Sequence, residues 1–385
     1  LQAKTDRIEI KPSRLRIGGA DASIFGAVQL TSRSPDAAKA GNPVFEVLTN
    51  DLVLTSDVTD QPTVPAQAKL LGGFDPKSQL LMLDTVQVAT PSGQLLGSGS
   101  VKLDSSSPSV VFNGGIETLE MEHLKAIWPP FIAGGVHRWL DKNMFGGRVS
   151  NAIINAAIPS GILGRIRFGK RIEPEHLQIT VDVEGSEIEG FQDIPKVRSV
   201  AGRVTHYGMT TDVEVSKGLF WLRDGEKIRL DGSEIQIGDF SKEPLSFVSE
   251  IKLSGDAKSV ANLAAGEPIK AFEDKPLKPT DFSGDLQADI VAEILVSGGD
   301  VSVDDNWRAD LEFKDARING LQADVEITEG FASEIASTRK VSMVLDAAAR
   351  KKFGVDLSGL LDGKVKADII LNPDGSQNFE VDLTP

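Results

Sequence analysis

The sequence predicts a mostly β protein: a long antiparallel meander sheet with one apolar face and a few short capping helices. Three observations predict it. Apolar and polar residues alternate with a period of two through many segments. In residues 286–297 one parity reads Leu286, Ala288, Ile290, Ala292, Ile294, Val296 and the other Gln287, Asp289, Val291, Glu293, Leu295, Ser297. Successive side chains of a strand point to opposite faces, so each such segment has one apolar and one wet side. Turn signals then punctuate these runs at short intervals, and helical periodicity is scarce.

Taken in order, residues 1–118 read as strands separated by Gly18-Gly19, Gly72-Gly73 and Gly114-Gly115, with a loop at 32–42. Residues 119–159 carry the clearest helical pattern. A first helix over 119–127 ends before Trp128-Pro129-Pro130, and a second over 131–143 stops before Gly146-Gly147. Ile132, Val136, Trp139 and Leu140 share a face of that second helix, so Trp128, Pro129, Arg138 and Trp139 are expected to form a structural cap with both tryptophans buried against the sheet, direct contact with a ligand being the alternative.

Residues 160–266 form a further β block, opening on the alternating run 177–183 and closing on a helix at 256–265 between an Asp256 cap and Gly266. Its Asp224-Gly225 and Asp231-Gly232 pairs are hairpin signatures, because both residue types accept the positive φ of tight turns. The Pro- and Lys-rich stretch 267–280 reads as a linker. Residues 281–385 form the last β block, with Asp362-Gly363 and Asp374-Gly375 turns and a short helix over 346–353. The rhythm of 200–265 recurs in 284–349 as strand, glycine turn, strand and helix.

Composition bounds the function. The chain has 385 residues, enough for two or three domains; 40% are hydrophobic, 25% charged and only 6% aromatic. Buried surfaces must therefore be lined by aliphatic side chains. A net charge of −15 argues against nucleic acid, which needs clustered Lys and Arg. There is no cysteine, hence no disulfide and no Cys-based metal site. No apolar run is long enough to cross a bilayer as a helix. The chain opens at Leu1 in mid-pattern without a signal-peptide profile, so an anchor or export signal is expected outside it.

Catalytic and metal motifs find little footing. The four histidines, His123, His137, His176 and His206, sit at no ligand spacing, and no metal site is expected. Asp300, Asp304 and Asp305 fit no calcium-loop pattern and read as a solvated turn. Residues 97–100 (Gly-Ser-Gly-Ser) lack the lysine and helix of a phosphate loop and read as a strand edge; no Gly-x-Ser-x-Gly elbow occurs. The expectation is a protein that is not an enzyme and needs no cofactor.

The segment Leu124-Lys125-x-x-Trp128-Pro129, Gly135-x-x-Arg138-Trp139-Leu140, Asn143-x-x-Gly146-Gly147, preceded by Gly72-Gly73-Phe74-Asp75-Pro76 and followed by the strand block 200–265, resembles the AsmA-like proteins of the YhdP and TamB group, bacterial bridge-like lipid transfer proteins. The likeness spans roughly residues 65 to 371. It implies a periplasmic protein anchored in the inner membrane through a segment absent from this chain. It also implies an apolar groove that moves phospholipid towards the outer membrane, with outer- or inner-membrane proteins as further partners and no nucleic acid. On that reading the apolar parity lines the groove: Leu177, Ile179, Val181, Leu286, Ile290, Ile294, Leu321, Val325, Val365 and Ile369. The same alternation also fits a structural or adhesin-like β-sandwich of the cell envelope, in which two sheets bury each other's apolar faces.

Overall fold

The computed structural model describes residues 6–17, 20–31, 41–54, 63–103, 107–128, 134–163, 171–190, 192–222, 225–267, 269–272, 278–297, 300–303, 307–318, 321–330, 338–352, 363–371 and 376–382. The protein is mostly β, a long antiparallel meander with a few short helices. The chain divides into two compact units: residues 1–188, 201–212 and 239–241 in the first, 189–200, 213–238 and 242–385 in the second.

In the first unit, β1 (Arg7–Ile17), β2 (Ala20–Gln29), β3 (Val44–Leu54), β4 (Val64–Asp75), β5 (Leu80–Thr90), β6 (Gly93–Lys102) and β7 (Ser109–Glu120) pair successively as antiparallel neighbours. Helices α1 (Met121–Ile127) and α2 (Gly134–Asn143) and the two-residue β8 (Met144–Phe145) follow, then β9 (Arg148–Ile158) pairs with β7, and β10 (Leu177–Ile188) with β9 and β8. Every pair from β1–β2 to β5–β6 carries a register shift. Such bulges bend a strand and raise its local twist, the means by which a sheet acquires curvature.

Two glycine pairs depart from the sequence expectation. Gly72-Gly73 and Gly114-Gly115 lie inside β4 and β7 rather than in turns. Their role is to make room for phenylalanine rings on the same face. A Cβ on Gly72 would lie 2.8 Å from the Phe45 ring, and one on Gly114 or Gly97 would lie 2.8 Å or 2.5 Å from the Phe112 ring. Residues 97–100 are likewise interior to β6, paired on both sides rather than at an edge.

Strands β11 (Val197–Tyr207) and β12 (Thr210–Trp221) contribute to both units. The second unit continues with β13 (Lys227–Arg229), β14 (Ser233–Ile237), β15 (Leu245–Asp256), α3 (Ala257–Ala265), β16 (Phe282–Ser297), β17 (Asp300–Val303) and β18 (Arg308–Ile318). It closes with β19 (Leu321–Gly330), β20 (Thr338–Leu345), α4 (Ala347–Lys352), β21 (Val365–Leu371) and β22 (Gln377–Asp382). Strands β17 and β18 both run antiparallel to β16 and share its return path. The expected linker at 267–280 is a correction. On either side of it β15 and β16 pair continuously, from Leu245 opposite Val296 to Asp256 opposite Asp285, so it connects neighbouring strands of one sheet rather than two blocks.

Helices α3 and α4 spring directly from strand ends, with Asp256 and Asp346 as the residues before them. Alternation of direction through β15, β16, β18, β19 and β20 makes β15 and β20 run the same way, so both helices start at one edge of the sheet. The Asp256 carboxylate accepts from the Ser259 backbone N–H at 2.9 Å and from its hydroxyl at 3.0 Å, satisfying a donor that the first helical turn leaves open. Asp256→Ala should therefore cost about 1 kcal/mol in urea unfolding. An unchanged midpoint would show that packing alone holds α3.

Candidate functional site

Directly paired residues in an antiparallel ladder project from the same face, so register reveals what each side of the sheet presents. In the first unit one face carries Ile8 and Ile10 on β1, opposite Val28 and Gly26 on β2. It continues through Phe45 and Val47 on β3, Leu70 on β4, Val86 and Val88 on β5, Leu95 and Val101 on β6, and Val110 and Ile116 on β7. It ends with Ala152 and Ile154 on β9 and Ile179 on β10. Among the described residues, no paired residue on this face from β1 to β10 carries a charge. The opposite face holds Arg14 and Asp21, Lys69, Gln87, Ser98, Asn113, Asn155 and Asp182.

The apolar face is covered unevenly. Below α1 and α2 a closed core forms from Ile116, Leu119, Met121, Met144, Val149, Ala152 and Val183, with Leu119 fully buried. At the other ends of β9 and β10, Ile158, Ile172 and Leu177 close a smaller cluster. Between these, Phe112, Ile154 and Ile179 are only half-buried. At the β1 edge Ile8 is 52% exposed and Leu15 40%.

The second unit repeats the pattern along one strand. On β16 the apolar parity starts fully buried, with Leu286 and Ala288 beneath Ala257, Val260 and Ala261 of α3 and against Phe282 and Phe313. Phe282 and Phe313 stack with centroids 5.6 Å apart. Further along, Ile290, Ala292, Ile294 and Val296 are half-buried, with Ile251 and Phe247 of β15 opposite Ile290 and Ile294. The helix covers one end of the face and leaves the rest.

The residues expected to line a groove thus divide. Ile179, Val181, Ile290 and Ile294 lie half-buried on the apolar face. Leu177, Leu286 and Val365 are 8%, 4% and 2% exposed, and belong to closed core rather than to an open lining. Leu321, Val325 and Ile369 lie in β19 and β21, Val325 opposite Phe313 in register, and their side chains fall outside the described residues.

The cap is rearranged from expectation. Trp139 is 50% exposed, Arg138 is exposed, Trp128 is half-buried and Pro129 lies outside the described residues. The inward face of α2 is instead His137 and Asp141, together with Leu140. His137 Nε2 lies 2.9 Å from the Lys125 carbonyl oxygen, and its Nδ1 lies 3.5 Å from the Asp141 carboxylate. Lys125, buried at 1% exposure, reaches Glu122 at 3.3 Å, donates to the Met144 carbonyl and stands 5.1 Å from the Phe145 ring centroid. This polar core, each member with a partner, binds α1, α2 and β8 together. Sequence periodicity missed it because polar residues are counted as outward.

His123 and His206 also serve the fold. His123 Nδ1 meets the hydroxyls of Thr90 and Ser92, and Ser92 accepts from the Glu120 N–H at 3.1 Å, tying the β5–β6 turn to the start of α1. His206 Nδ1 lies 2.9 Å from the Thr211 hydroxyl, and burial holds its imidazole below the ordinary histidine range. No group of metal-ligating side chains assembles among the described residues, and no described helix is long and apolar enough to cross a membrane. No family model, curated protein or solved structure matches the chain.

Two outcomes follow from this geometry. Leu286→Ala should cost roughly 2–5 kcal/mol in chemical denaturation, whereas Trp139→Ala should stay within about 0.5 kcal/mol of wild type; comparable losses in both would put Trp139 back in the core. Because His206 resists protonation when folded, its share of stability is complete above its ordinary pKa of 6.5 and declines as the pH falls through that value. The urea midpoint should drop on going from about pH 7.5 to about 5.5 in wild type, and drop less in His206→Gln. An equal drop in both proteins would assign the acid sensitivity elsewhere.

Proposed function

We propose that this chain is a segment of a bridge-like lipid transfer protein of the AsmA-like kind, holding phospholipid acyl chains on its apolar face while the headgroups stay in water. The observation that carries this reading is the uncharged, register-aligned face running from β1 to β10, buried at local clusters such as Ala22, Leu52 and Ala66 but half-buried at Phe112, Ile154 and Ile179. Exposing an acyl chain to water costs about 0.8 kcal/mol per methylene, so a chain of about 16 carbons faces on the order of 12 kcal/mol. A continuous aliphatic surface removes most of that barrier with no chemical step and no cofactor.

The half-burial of Phe112, Ile154, Ile290 and Ile294 supports this over a sandwich, whose facing sheets would bury such residues fully. Location between two membranes, with the full-length protein anchored in the inner one, belongs to the same proposal.

The test uses two strand positions and one control on β16. Ile294→Asp, on the uncovered stretch, should fold and lose bound phospholipid in native mass spectrometry, since a carboxylate resists desolvation by an acyl chain. Leu286→Asp, beneath α3, should unfold or melt far earlier. Gln287→Asp, on the exposed opposite face, should match wild type in both. Undiminished lipid in Ile294→Asp, or no lipid in wild type, overturns the reading.

A further inference from the structure

The outward face of α2 stands out in an acidic chain. Arg138, Trp139 and Lys142 lie within one helical turn at i, i+1 and i+4, so their side chains share a side of the helix. All are exposed, Trp139 at 50%. Neither cation forms an ion pair among the described residues, and the helix's single carboxylate, Asp141, is turned inward towards His137. The outward face of α2 is therefore cationic and aromatic in a chain of net charge −15.

A lone exposed tryptophan is ordinary. An indole flanked by two uncompensated cations is the pattern that interfacial membrane anchors use. The ring sits at the headgroup level while the basic groups meet lipid phosphates. Position adds to the chemistry. On its other side α2 packs through Leu140 onto the core that closes one end of the apolar face. The buried Lys125–His137–Asp141 contacts hold α1 and α2 together and so fix the direction in which Trp139 points.

We propose that Arg138, Trp139 and Lys142 form a docking site for an anionic bilayer surface, setting the helix-capped end of the apolar face beside the membrane. This rests on the lipid-transfer reading for its purpose but not for its chemistry, which is that of phosphate headgroups against two cations and an indole.

The experiment is co-sedimentation of the full chain with vesicles of phosphatidylcholine alone or with about a third phosphatidylglycerol. Wild type should bind the mixed vesicles in low salt, release as salt rises, and bind neutral vesicles weakly. R138Q/K142Q should lower binding to mixed vesicles roughly 10- to 30-fold with an unchanged melting temperature. W139A should lower it as well, and indole emission in a chain retaining only Trp139 should shift to the blue on binding. Equal binding to both vesicle types, no binding at all, or R138Q/K142Q indistinguishable from wild type each overturns the proposal. A W139A chain that melts early while R138Q/K142Q binds normally also overturns it, assigning the ring to packing. Ile294→Asp should dock like wild type while losing copurified lipid, so failure of docking and failure of the lipid-transfer reading can be told apart.

Discussion

The antiparallel register is the constraint on which the rest of the molecule hangs. Because paired residues share a face, the alternation written into one strand is useful only if its neighbours keep step, and a slip of a single residue would turn an aliphatic row outward. The strands keep step through a run of bulges, each of which adds a residue to one side without changing which face the next side chain meets. Phenylalanine-over-glycine contacts at Gly72, Gly97 and Gly114 lock the alignment further, since each ring fits only where its neighbours lack a Cβ. A face free of charge across so many strands follows from that alignment.

Helices act on this surface locally. Each is short, α1, α3 and α4 begin at strand ends, and α3 shields only the nearest part of the sheet, so aliphatic residues on β16 pass from closed core at Leu286 to partial exposure at Ile294. Closed core and half-buried apolar surface are therefore separated along single strands rather than between domains.

Much of this was legible in the residues. Alternation identified the face to which Ile179, Ile290 and Ile294 belong, and Asp256 with Gly266 bounded α3 to within a residue. What escaped the sequence did so for physical reasons. Paired glycines read as turns because nothing local reveals the rings that cross over them. The Pro- and Lys-rich stretch after α3 read as a boundary because long-range pairing between β15 and β16 leaves no local trace. Periodicity placed Trp139 inward because it weighs bulk hydrophobicity, whereas His137 is buried against the Lys125 carbonyl of the partner helix and Asp141 against His137. Nor could alternation tell which apolar residues a helix would cover: Leu286 and Ile294 are equivalent on the strand and differ only by the position of α3.

The common edge from which α3 and α4 spring has a consequence for how such a chain can change length. Adding or deleting one hairpin between β15 and β20 preserves the direction of every later strand, so the following helix still emerges from the same rim. Adding a single strand would reverse that direction and send the helix to the far rim, leaving its usual core unshielded. Growth of this architecture is therefore quantised in pairs of strands, and insertions in homologous chains should come in lengths that build whole hairpins.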